Sequence, residues 1–188
     1  MINNTQVVSV SITKVGAPYW FGTFGQTANA ALLENKRKQY PTHYTDARMA
    51  RYRSDFGKQV FDCSGLLKYI LMTEAETKPL IYNAAFDYSA DSFYTKATTK
   101  GPISSLPELP GLGLHRSGHV GVYIGGGYLI EAKGFDYGCV KSLLKDRNFT
   151  EWFQIPGVTY TQNTTHDAPI HQIASQLRDL ANRLDALT

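Results

Sequence analysis

Apolar residues recur with two different periods along this chain, and the change of period divides it. Val7 to Val15 alternates apolar and polar positions, which predicts a strand or extended lead-in that Gly16-Ala17-Pro18 ends. Gln26 to Val60 is polar and helical in pattern. There Ala28, Ala30, Ala31, Leu32 and Leu33 lead into Lys36-Arg37-Lys38, and Pro41 splits the stretch into two helical pieces with a turn. Cys63 to Met72 is the clearest helix, with Leu66, Leu67, Ile70 and Leu71 at helical spacing.

The second half reads differently. Gly101 to Gly113, with Pro102, Pro107 and Pro110, predicts a loop. Strands are predicted over His119 to Ile124, Tyr128 to Ala132 and Cys139 to Ser142, with Glu151 to Ile155 as a fourth. Gly125-Gly126-Gly127 supplies a tight hairpin between the first two. A helix followed by an antiparallel meander is the α+β pattern. From Thr159 the chain turns polar, then closes on Ile170, Ile173, Leu177, Leu180, Leu184 and Leu187, spaced alternately three and four apart. That terminal helix suits docking on its own domain and homo-oligomer formation equally. The predicted division is a catalytic domain over 1–158, with a basic helical insertion at 26–60, and a polar linker with an amphipathic helix over 159–188.

Composition narrows the classes. The 188 residues, 43% hydrophobic and 19% charged, suffice for one cored domain and exclude wholesale disorder. A net charge of +3 is too small to argue for nucleic acid. The insertion holds seven basic and three acidic residues, a local excess suited to a solvated helix face or to steering toward anionic polymers. Tyr40, Tyr44, Tyr52 and Phe56 within it suit either core packing or sugar contact. Cys63 and Cys139 make no disulfide scaffold, and no Cys/His cluster implies a metal. No signal peptide and no membrane-spanning stretch is readable, so export by another route, of holin type or unconventional, is expected.

Three residues carry candidate chemistry. Asp62-Cys63-Ser64-Gly65 opens the apolar helix and puts Cys63 in its first turn, where unpaired amides and the helix dipole favour an anion. A lone cysteine is otherwise a buried structural one. His119 starts an apolar strand with Gly121 next on its face, leaving room for an imidazole to act as base. His115 is its rival. Glu131 lies twelve residues on, across the glycine hairpin, where a carboxylate can hold the imidazole N–H. Together they form the ordered set of nucleophile, base and orienter that thiol catalysis requires.

Asp62-Cys63-Ser64-Gly65-Leu66 and Gly118-His119-Val120-Gly121-Val122-Tyr123-Ile124-Gly125 strongly resemble motifs of the NlpC/P60 cysteine peptidases, nearest in character to prophage and phage lysins. Gly16-Ala17-Pro18-Tyr19-Trp20-Phe21-Gly22 is similar to that family's segment ahead of the cysteine. The resemblance, spanning roughly Gly16 to Pro156, implies a papain-like α+β fold with the nucleophile-bearing helix on an antiparallel sheet. It further implies hydrolysis of peptidoglycan stem peptides between γ-D-glutamate and the following diamino acid, without cofactor or metal. By motif position Cys63 would be nucleophile, His119 base and Glu131 the third residue, with Tyr19, Asp62 and Ser64 at the substrate. Two departures are a longer link between Gly22 and Asp62, and Pro110-Gly111-Leu112-Gly113-Leu114 where the family has Gly-Asp. A CHAP-like muramoyl-alanine amidase or cross-bridge peptidase is the alternative enzyme, and a non-catalytic wall-binding module the alternative of another class.

Overall fold

The computed structural model describes residues 2–161, so the terminal helix read over Ile170 to Leu187 lies outside the described residues. Among the described residues, ten strands and five α-helices follow one another. β1 (Ile2–Asn3) and α1 (Asn4–Thr13) open the chain. Next come β2 (Phe24–Thr27), α2 (Ala30–Gln39), α3 (Met49–Ser54), β3 (Gln59–Phe61) and α4 (Cys63–Met72). α5 (Ala90–Lys96) precedes β4 (Lys100–Pro102), β5 (Gly113–Arg116), β6 (His119–Gly125), β7 (Tyr128–Gly134) and β8 (Gly138–Leu143). β9 (Glu151–Phe153) and β10 (Val158–Thr159) follow. The central sheet has the order β4-β9-β5-β6-β7-β8, all antiparallel. This is the α+β class expected, with the cysteine-bearing helix packed on an antiparallel sheet.

α4 begins and ends where its periodicity predicts. Asp62 caps it, its carboxylate accepting the Gly65 N–H at 2.6 Å. Leu66, Leu67, Ile70 and Leu71 are buried against Val120, Val122, Ile130 and Ala132 of the sheet and Val7 and Val10 of α1. Truncating such a leucine to alanine typically costs about 3–5 kcal/mol. The opposite face of the sheet is covered too, by Leu112, Leu114, Tyr123, Leu129 and Phe149.

Val7 to Val15 corrects the expectation of a strand: α1 occupies most of it. Asn3 and Gln6 form a reciprocal capping box, with bonds of 2.9 and 3.0 Å. Val7 and Val10, three apart, are buried, whereas Ile12, which alternation would bury, is 50% exposed. β2 and β3 trim the ends of the stretch read as helical, and α2 and α3 are the two pieces flanking Pro41. β5 begins where a loop was expected to end; the Phe153 ring fills the place a side chain at Gly113 would take. At the other end, β10 pairs with β1 and the Thr161 N–H reaches Asn4, so the chain stays docked through Thr161.

The insertion forms its own small core around Trp20, Leu33, Met49 and Val60. Tyr44 and Tyr52 stack there with ring centroids 4.5 Å apart, each almost wholly buried, so these two aromatics serve packing. No helix among the described residues is long and apolar enough to cross a membrane.

Candidate active site

Cys63 is the first residue of α4 and is half-buried. Only glycine fits at position 65, because a Cβ there would stand 1.9 Å from the Thr23 carbonyl oxygen. The Thr23 backbone therefore packs directly against the first turn of α4. Asp62 reaches across to the same segment, accepting the Gly22 N–H at 2.8 Å and the Ser64 hydroxyl at 3.1 Å. With the Gly65 amide claimed by this cap, the Cys63 and Ser64 amides remain turned to the sulfur.

The thiol meets the start of β6. Its sulfur lies 3.9 Å from the Gly118 carbonyl oxygen, and the Val120 N–H also points at it. Those are the two residues flanking His119. Burial pushes the Cys63 thiol up to about 12, the Asp62 carboxylate adds to the rise, and the surrounding amides oppose it. The thiol is thus protonated at neutral pH, and deprotonation requires a base.

His119 is buried and its Nε2 lies 2.8 Å from Glu131 Oε2. Glu131 is fully buried, and three groups converge on it. Besides His119, the Arg147 guanidinium donates to Oε2 at 2.8 Å and the Ser142 hydroxyl to Oε1 at 2.7 Å. Burial alone would raise this carboxyl; the bonds from His119, Arg147 and Ser142, with the guanidinium charge, outweigh it and bring the group down to about 2. An ionised Glu131 can only accept, so Nε2 must carry the proton. A neutral imidazole then has its lone pair on Nδ1. Phe149 stacks on the ring with centroids 5.7 Å apart and fixes its plane.

Sequence reasoning paired His119 with Glu131 and missed Arg147, Ser142 and Phe149. Their only sequence signal is the position of Ser142 on the strand beside Glu131, since the Arg147 contact depends on the turn after β8. Tyr19 pairs through its backbone with Phe61, two residues before the cysteine, and its hydroxyl is held well above the usual phenol range by burial and by Cys63 and Asp62 nearby. Asp62 and Ser64 border an open cleft of about 500 Å³ that also meets Phe21, Phe24, Tyr82 and Lys68. Their polar atoms bond each other and the backbone, so both shape the cleft through the cap.

His115, the rival base, has neither nitrogen open. Nε2 lies 2.9 Å from Asp91 Oδ1 and Nδ1 2.9 Å from Glu151 Oε2, and the ring stacks on Tyr94. Asp91 in turn accepts the Gly118 N–H at 2.7 Å, which secures the turn leading into His119. Cys139 is buried in the main core.

No protein-family model matches the chain, and no curated protein matches it. The solved structures to which it is similar include NlpC and P60 domain structures. NlpC2 from Trichomonas vaginalis is 17% identical, covers 85% of this chain and 48% of its own, and gives a TM-score of 0.49. The NlpC/p60 domain of the peptidoglycan hydrolase SagA is 16% identical, with 82% and 100% coverage and a TM-score of 0.47. The peptidoglycan hydrolase RipB from Mycobacterium tuberculosis is 24% identical, with 81% and 66% coverage and a TM-score of 0.45. The chain spans about half the length of the two Trichomonas structures, 48% and 44%.

Proposed function

We propose that this protein is a cell-wall hydrolase that cuts peptidoglycan stem peptides by thiol catalysis, at the γ-D-glutamyl–diamino acid bond. One observation carries the reading. The Cys63 thiol, at the start of α4, abuts the backbone on both sides of His119, whose Nε2 is held at 2.8 Å by a buried, ionised Glu131. The choice of substrate rests on the motif resemblance of the segments around Cys63 and His119.

In this mechanism the thiol proton passes to His119 Nδ1 as the sulfur attacks the amide carbonyl. The Cys63 and Ser64 amides receive the oxyanion. His119 returns its proton to the leaving amine as the C–N bond breaks, giving a thioester. Water, deprotonated by His119, attacks that thioester; the S–C bond breaks and the thiol is restored. Glu131 holds the Nε2–H tautomer and supports the imidazolium; it does not take the proton.

The test is mass spectrometry of soluble fragments released from purified peptidoglycan by wild type and Cys63→Ala. Fragments ending in γ-D-glutamate, from wild type alone, are expected. Intact stems freed from sugar would replace this reading with the amidase. Absence of fragments from walls of several stem types would leave a binding module.

A further inference from the structure

The insertion carries seven cations, and one of them behaves unlike a solvated charge. Lys36, on α2, is only 8% exposed. Its ammonium hydrogen-bonds the Gln39 amide oxygen at 3.1 Å and sits 5.6 Å from the Tyr40 ring centroid. Among the described residues no carboxylate pairs with it. Burial holds its pKa below the usual lysine range. An ammonium has three donors, and burying it beside one neutral acceptor costs free energy unless something anionic completes it.

Lys36 lines the same 500 Å³ cleft as Asp62 and Ser64, the residues on either side of Cys63. The other charges there are already matched. Asp62 accepts three bonds from the protein at the head of α4. Lys68 and Asp87 pair at 2.6 Å, and Tyr82 completes Asp87 at 2.9 Å. Lys36 is therefore the cleft cation without a close ion pair among the described residues; the Asp62 and Asp87 carboxylates attract it only from beyond contact, and both are already bonded elsewhere. Its wall is otherwise aromatic and amide in character, through Phe21, Phe24, Tyr40 and Gln39.

We infer that Lys36 forms a carboxylate-binding subsite in the cleft bordered by Asp62 and Ser64, the flanks of Cys63, so that the chain selects substrates bearing a free carboxylate near the attacked amide. The inference rests on the hydrolase reading for its choice of substrate, and deepens it: stem peptides are rich in carboxylates, some of which can be masked as carboxamides. A charge-assisted bond in a partly desolvated cleft discriminates between the two forms by about 10–100-fold. Replacing oxygen with an amide nitrogen removes the charge and turns a donor toward a donor.

The experiment measures binding by calorimetry, so that it does not depend on turnover. Cys63→Ala protein is titrated with synthetic L-alanyl-γ-D-glutamyl-diamino acid peptides in which each carboxylate is amidated in turn. Amidation of one carboxylate is expected to weaken binding about 10–100-fold. That penalty should vanish in the Cys63→Ala, Lys36→Met protein and survive in part with Lys36→Arg, which keeps the charge. Circular dichroism of each variant checks the fold, and Lys36→Arg carries the test if Lys36→Met unfolds. Equal binding of all peptides, or a penalty that Lys36→Met leaves intact, overturns the subsite. Discrimination by Lys36 without any cleavage by wild type would sink the hydrolase reading and leave the subsite standing.

Discussion

Two buried histidines, His115 and His119, sit four residues apart on neighbouring strands β5 and β6, and each bonds carboxylate at under 3 Å. What differs is how many ring nitrogens are engaged. His115 meets a carboxylate on both, and its ring lies flat on Tyr94, so it has no nitrogen with which to exchange a proton with a bound molecule. His119 meets Glu131 on Nε2 alone, and the thiol lies against the backbone on each side of it. One cluster holds the turn at Gly118 in place; the other leaves Nδ1 without a hydrogen-bond partner among the described residues. A histidine beside a carboxylate is therefore no evidence of catalysis until its second nitrogen is accounted for.

The sharpest way to break this comparison is to remove each ring. His119→Ala is expected to lower kcat on a stem peptide by about 10³-fold or more, since general-base and orienting effects are lost together. It should also lower Tm by several degrees, since it leaves a gap beside Phe149 and takes a donor from the buried Glu131. His115→Phe keeps the stacking on Tyr94 and loses both hydrogen bonds. It should lower stability by about 1–2 kcal/mol, a Tm loss of several degrees, and kcat by less than tenfold. Both partners of His115 are partly exposed, which keeps that cost modest. If His115→Phe proves as inactive as His119→Ala while remaining folded, the assignment of the base is wrong.

A smaller effect separates Glu131 from His119. Glu131→Gln can still accept from Nε2 through its amide oxygen, so kcat should fall by about 10–100-fold, less than for His119→Ala. The same variant reports on acid stability. The Glu131 carboxyl falls from 4.5 to about 2 on folding, so its stabilisation is complete above pH 4.5 and disappears as pH drops toward 2. The shift corresponds to about 3 kcal/mol. Denaturant titrations between pH 2 and 5 should show that slope in wild type and a flatter one in Glu131→Gln. An unchanged slope would mean that another carboxylate carries the acid transition.

How far this was legible in the sequence depended on how local each determinant is. α4 was readable to its ends because the Asp62 cap and the Leu66, Leu67, Ile70, Leu71 stripe lie in one segment. The His119–Glu131 pair was readable because a glycine hairpin ties their strands together. α1 was misread because Val7, Val8, Val10 and Ile12 favour strands on propensity alone, while the capping box and burial of Val7 and Val10 decide otherwise. Arg147 was missed because its approach to Glu131 follows from the path of the chain after β8, sixteen residues away. Lys36 is one of three consecutive cations, and only its placement one turn after the buried Leu33 hinted that it faces inward.

The most direct test of the account is turnover of a synthetic L-alanyl-γ-D-glutamyl-diamino acid peptide by the Cys63→Ala protein, with circular dichroism and Tm measured on the same sample. The account predicts a folded protein with no detectable turnover, beside a wild type that releases the diamino acid. A folded Cys63→Ala protein that still cleaves the peptide would contradict it.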